Sequence, residues 1–179
     1  MHKEAMMAIR NIGSVVAIGG LISLSACGDL PAKPPRTTGV QVVAEKGATR
    51  MIQGIEAGPG ADMSNMDLSG EDLSELDLTG ANFSGSVFNK AYLSRSIFEG
   101  ANFTGADVDS SNAYRANFLK ANLTNATFRS INAEEANFTG ATLTGAIFNY
   151  GHLLRATFDE GAFTVASFSG ATMPDGSIG

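Results

Sequence analysis

A large apolar residue returns at every fifth position through most of this chain. Between Ala136 and Phe148 the sequence reads ANFTGATLTGAIF, with Phe138, Leu143 and Phe148 in one register. Stepped outward by fives, that register runs from Met63 to Met173, 23 positions, and it holds all 11 phenylalanines. Two residues before these centres the side chain is mostly small, as at Ala81, Ala101, Ala121 and Ala141. A helix repeats its apolar positions every three to four residues and a strand every two, so neither period fits.

A shorter unit does fit. The small residue and the centre are two apart, so in an extended segment both point to one side. The polar residue between them, such as Asn82, Asn102 or Asn137, points to the other. The two residues after the centre, Thr139-Gly140 for example, have turn chemistry. Each pentad is then a very short strand and a corner. Repetition predicts an all-β solenoid with the centres inside and the polar residues outside.

Units such as ANFTG (136–140), ANLTN (121–125) and ADVDS (106–110) resemble the pentapeptide-repeat proteins, over about residues 61–175. The resemblance implies a right-handed quadrilateral β-helix with about 20 residues per coil. The spacing alone allows three or four sides. At four, the 23 units make between about five and six coils, a stack roughly 27 Å tall.

The rest of the chain has a different character. Residues 1–27 carry a weakly basic start, Lys3 and Arg10, then an apolar run from Ile12 to Ala26 that is short for a membrane span. They read as a secretion signal. The run ends in Leu24-Ser25-Ala26-Cys27 and Gly28 follows. This resembles a bacterial lipobox, which implies lipidation of Cys27 and an exported protein anchored to the cell membrane or outer membrane, facing periplasm or exterior. Cys27 is the sole cysteine, so no disulfide forms within the chain. Residues 28–40 are a Pro-rich tether. Residues 41–60 form an N-terminal capping segment, in which 41–57 fit a short helix or a hairpin broken at Gly47 that covers the solenoid's first edge. Residues 176–179 are a C-terminal tail.

Charge narrows the function. Residues 61–175 hold 14 acidic and 6 basic side chains, a difference of −8. That balance argues against direct nucleic-acid binding. The family resemblance offers an alternative, a DNA-mimicking regulator of DNA gyrase or topoisomerase, which the export signal disfavours because gyrase is cytosolic. Six of the acids fall in 61–80, where no base occurs, but they point to different sides and do not converge as a cation site would require.

Sorted by fours, the pentads give one side without phenylalanine, centred on Leu73, Leu93, Ala113, Ala133, Leu153 and Met173. The second residue after each of these centres is charged: Glu75, Arg95, Arg115, Glu135, Arg155 and Asp175. Tyr92, Tyr114, Glu134 and His152 share the side. Glu75, Tyr92, Arg95, Tyr114, Arg115, Glu134, Glu135, His152 and Arg155 thus form a candidate interaction face, since Tyr and Arg anchor interfaces. Pairing of Glu75 with Arg95, of Glu135 with Arg115 and Arg155, and of Asp175 with Arg155 is the plainer role for the charges. Arg95 beside Arg115 is a like-charge step suited to an anionic group. His152 stands alone and outward. No spacing of residues suggests a nucleophile, a metal centre or a cofactor, and outward side chains on a convex surface do not converge. The sequence therefore predicts no catalysis, cofactor or metal. It predicts a rigid structural or interaction module with a protein partner; a homodimer is compatible with it.

Overall fold

The computed structural model describes residues 45–179. The signal, Cys27 and the Pro-rich tether lie outside the described residues. From Ala61 to Arg155 each pentad contributes one isolated bridge at its second residue and a turn at its fourth and fifth. The bridges are parallel and join residues 20 apart, in four series that begin at Asp62, Asp67, Asp72 and Asp77. One runs Asp72–Tyr92–Asn112–Asn132–His152–Thr172. The chain is therefore a β-helix.

The backbone explains the spacing. The centre's N–H donates up the stack, as Phe103 N does to Asn122 O at 2.7 Å, and the bridging residue's N–H donates down, as Asn102 N does to Ala81 O at 2.9 Å. The corner closes through a bond from the next pentad's first N–H to the centre's carbonyl, Ala101 N to Phe98 O at 3.0 Å. Its third turn position needs a positive φ, as in a type II turn. All 19 residues in that place from Asn65 to Arg155 have one, 12 of them not glycine.

Inside, the centres from Met63 to Leu153 are buried, as are most of the alanines beside them. Phe98, Phe118, Phe138 and Phe158 form one stacked column, with ring centroids 4.9, 5.0 and 4.7 Å apart. Phe128, Phe148 and Phe168 form a second, at 4.9 and 5.2 Å. The columns meet edge to face, as Phe128 meets Phe138 at 6.4 Å. Offset and edge contacts of this kind add to the burial itself. Where serine replaces the small alanine, its buried hydroxyl is bonded: Ser111 Oγ donates to Phe88 O at 2.5 Å.

Outside, the Asn and Asp of the bridges have a defined task. Each turns its side-chain oxygen back on the N–H two residues on, as Asn102 does to Thr104 (3.1 Å) and Asp62 to Ser64 (3.2 Å). Asn102 Nδ2 also donates to Asn82 Oδ1 in the turn below, at 3.1 Å. Local Asx bonding and a ladder between turns are made by one side chain.

Three features depart from the simple pattern. Residues 45–60 hold a hairpin, β1 (Arg50–Ile52) and β2 (Ile55–Ala57), but it turns at Gln53-Gly54, not at Gly47. Those two residues have φ of 49° and 83°, the pair that a two-residue hairpin turn requires. Gly47 instead donates its N–H to Asp77 Oδ2 at 2.7 Å. Further on, the series Asp62–Asn82–Asn102–Asn122–Thr142 stops. Residues Ala162–Val165 form a single helical turn, α1, and Phe163 is 45% exposed although it lies in the buried register. Val165 contributes, since it occupies a corner where φ must be positive, a conformation a β-branched residue avoids, and the departure begins at the preceding corner, Glu160, which also lacks the positive φ. Finally, the C-terminal tail reverses at Gly176 and lies antiparallel on the last turn, with Thr172 bridged to Ile178 and Gly170 N donating to Gly179 O at 2.9 Å.

Candidate interaction face

The Asp72–Thr172 series carries the candidate face. Because bridging residues point outward, Tyr92 (55% exposed) and His152 stand on its surface one and four turns above Asp72. Tyr114 and Glu134 follow their centres and are half-buried, and Glu75, Arg95, Arg115, Glu135 and Arg155 occupy the positive-φ corners. Asp175 leaves the column: Gly176 takes the positive φ of 89°, and the Asp175 carboxylate accepts from Ser177 N (2.9 Å) and Oγ (2.7 Å) rather than meeting Arg155.

The other charges pair between turns. Arg115 Nε lies 2.6 Å from Glu135 Oε2, Arg155 Nη1 3.5 Å from Glu135 Oε1, and Arg95 Nη1 3.4 Å from Glu75 Oε1. The hydrogen bond from Arg115 holds the Glu135 carboxyl below its ordinary range, against a smaller upward push from burial, and Glu135 raises Arg115 in turn. Arg95 and Arg115 are drawn to different partners. Each reaches an acid on the side away from the other, because an opposite charge stands one turn below Arg95 and one turn above Arg115. The Arg115 guanidinium also lies over the Tyr114 ring, 4.9 Å from its centroid, a cation–π contact.

An open groove of ≈ 420 Å³ lies at the lower end of this face, lined by Asp72, Ser74, Glu75, Tyr92, Ser94, Arg95 and Tyr114. Sequence reasoning missed two of its parts. Ser74 and Ser94 stand one turn apart where Tyr114 stands next, so small residues leave a hollow beneath a large one. Arg50 of β1 reaches over to Asp72, Nη1 to Oδ2 at 3.2 Å, a contact between segments that no local pattern announces. Another pair, Arg129 with Asp109 at 3.3 Å, lies off this face. His152 acquires no carboxylate partner, and no group of His, Cys, Asp and Glu able to hold a metal forms among the described residues.

With a 20-residue bridge interval, a stacked phenylalanine interior and Asx-bonded corners, the molecule is a repeat solenoid built from pentads. The family model for pentapeptide repeats matches residues 59–95, 77–112, 91–130, 101–140 and 136–173, and the chain belongs to that family. Among solved structures it is similar to HetL, a pentapeptide repeat protein involved in heterocyst differentiation regulation from the cyanobacterium Nostoc sp. strain PCC 7120. The two are 24% identical over 68% of this chain and 65% of HetL, with a TM-score of 0.51. It is also similar to Rfr23, a pentapeptide repeat protein of the cyanobacterium Cyanothece 51142, 24% identical over 60% of this chain and 91% of that one, TM-score 0.37. Full-length QnrB1, a plasmid-mediated fluoroquinolone resistance protein, is 18% identical over 63% of this chain and 79% of that one, TM-score 0.35. The chain thus spans less than two thirds of HetL's length, and its likeness to HetL, with the family match, is one of fold, a right-handed β-helix. No curated protein matches the chain.

Proposed function

We propose that this chain is a lipid-anchored envelope protein whose β-helix is a rigid protein-interaction module. The carrying observation is the Asp72–Thr172 face, where exposed Tyr92, half-buried Tyr114 and five paired charges share one side. Pentapeptide-repeat proteins are generally structural or interaction modules rather than enzymes, which agrees with a convex surface of satisfied side chains. In this reading the β-helix is quadrilateral with between about five and six coils; the four bridge series at 20-residue intervals support it. The hairpin of 45–60 is its N-terminal cap, residues 1–27 are the signal and Cys27 carries the lipid. The partner is a protein, and nucleic acid is not bound directly.

Replacing Tyr92, Arg95, Tyr114 and Arg115 together is expected to abolish capture of a partner identified by crosslinking in intact cells. Undiminished capture overturns the assignment of this face. The competing reading, a DNA-mimicking regulator of gyrase, draws on the −8 charge difference of residues 61–175. Fractionation separates the two. The proposed function expects membrane-bound protein that becomes soluble on Cys27→Ala, whereas soluble wild-type protein that inhibits supercoiling favours the competitor.

A further inference from the structure

We propose that the groove at the lower end of this face receives an arginine side chain of a protein partner. The inference rests on the interaction reading above and gives it a ligand chemistry. The face already contains the arrangement in finished form: the Arg115 guanidinium lies over the Tyr114 ring at 4.9 Å and donates to the Glu135 carboxylate at 2.6 Å. Ring below, carboxylate at the edge and guanidinium between them is a combination that both cation–π attraction and charge-assisted hydrogen bonding favour.

Beside Ser94, which stands one turn below Tyr114, a different ring, that of the bridging residue Tyr92, lies near carboxylates without a stacked cation. Tyr92 is 55% exposed, and no cation lies over its ring among the described residues. Carboxylates flank it, Asp72 on its own bridge series and Glu75 at the corner below. Both are half open to solvent, with side-chain exposures of 58% and 45%; Arg50 meets the Asp72 carboxylate at 3.2 Å and also donates to the Asp72 carbonyl, Asp72 Oδ1 accepts from Ser74 N at 2.9 Å, and Glu75 meets Arg95 through a single contact of 3.4 Å. Exposed single contacts of that kind contribute little and exchange readily. Ser74 and Ser94 form a floor low enough for a planar group to slide beside the Tyr92 ring.

Charge complementarity selects the occupant. The groove is lined by two carboxylates, Asp72 and Glu75, against one arginine, Arg95, in a stretch (61–175) that carries 14 acids and 6 bases. A guanidinium gains there from the field, from the ring and from a fork geometry that matches a carboxylate. A lysine ammonium has the charge without the plane or the fork. A neutral sugar would use the ring and hydroxyl partners but gain nothing from the field.

The test uses the full-length chain in mild detergent with its tyrosine rings ¹³C-labelled, and three probes: an acetylated Gly-Arg-Gly amide, its citrulline counterpart and a neutral N-acetylglucosamine disaccharide. The arginine peptide is expected to shift the Tyr92 resonance saturably. Citrulline, which keeps the shape and loses the charge, should bind at least about tenfold more weakly. Glu75→Gln should weaken arginine binding, and Tyr92→Leu should remove the response read at Tyr114, with the far-ultraviolet spectrum of the β-helix unchanged in both. Equal response to citrulline, preference for the sugar, or full binding by Glu75→Gln overturns the inference. Failure here together with partner capture that depends on the quadruple variant leaves the face and removes the arginine. Arginine binding together with capture indifferent to that variant removes the face as the partner site and keeps the groove.

Discussion

Asn137 shows how much one residue does in this fold. Its Oδ1 accepts from Thr139 N at 3.0 Å and from Thr157 Oγ1 at 2.8 Å, while Nδ2 donates to Asn117 Oδ1 at 3.2 Å. It therefore closes its own corner and ties three successive turns. Asn137→Ala is expected to cost about 1–2 kcal/mol in a denaturant titration, and Asn137→Asp less, since aspartate keeps both acceptor bonds. The corner position makes a second residue-scale prediction. Lys90 sits there with φ 61° and no ion pair among the described residues. Lys90→Gly should raise the unfolding midpoint, by about 0.5–1 kcal/mol, because relief of the left-handed conformation outweighs glycine's entropy. Gly80→Val, where open space surrounds the site and only φ of 67° objects, should lower it. The sequence made the centres legible because every fifth residue was large. It also held this backbone rule, in the Gly, Asn and charged residues at the corners, but the rule shows only once φ is known. Hence Phe163 looked like any other centre, while Val165 two places on was one sign that its pentad would not close.

At the scale of elements, the hairpin precedes the repeat and α1 interrupts it. Asp77 joins the hairpin to the first turn. It is buried, accepts from Gly47 N at 2.7 Å and from Thr79 Oγ1 at 2.6 Å, and its own N–H donates to Ala48 O at 2.9 Å. Burial pushes its carboxyl up, but the bonds from Thr79 and Gly47 and the charge of Lys46 outweigh that and hold it below the ordinary value. Asp77→Ala should cost about 2–3 kcal/mol and speed amide exchange in β1 and β2 ahead of the inner turns. The hairpin itself was only half legible: turn residues occur at both Gly47 and Gly54, and strand pairing across so short a segment has no periodicity to distinguish them. At the other end, Ala162→Asn with Val165→Gly restores a regular pentad. Phe163 should then turn inward, and the Leu143 amide should gain a carbonyl in the turn above, as Leu123 N has Thr142 O at 2.9 Å, and exchange more slowly.

Over the described molecule, stability is a sum of like contacts between neighbouring turns. Phe138 touches Phe118 below, Phe158 above and Phe128 and Phe148 beside it. Phe138→Ala should cost about 3–5 kcal/mol; an unchanged midpoint would contradict its interior position. The molecule's response to acid has a definite sign. Asp62 and Asp67 are held below their ordinary 3.8 by bonds from Ser64 and Ser69, Asp175 by Ser177, and Glu135 below 4.5 by Arg115. Their contribution is present above the unfolded values and is lost as pH falls through the lower folded ones. The denaturant midpoint should thus be steady near neutrality and drop below about pH 4. The face was legible as a column of charges, since its members recur at equal steps. Its groove was not, because a hollow is defined by what neighbouring turns lack.

The 20-residue interval between bridged partners has a consequence for how such a gene can change length. Duplicating or deleting a block of that size adds or removes one storey and leaves every downstream side chain on its original wall. A block of five keeps the interior filled yet carries the arginines and tyrosines beyond it onto the adjacent wall, so a molecule equally well packed would present a different surface to the world.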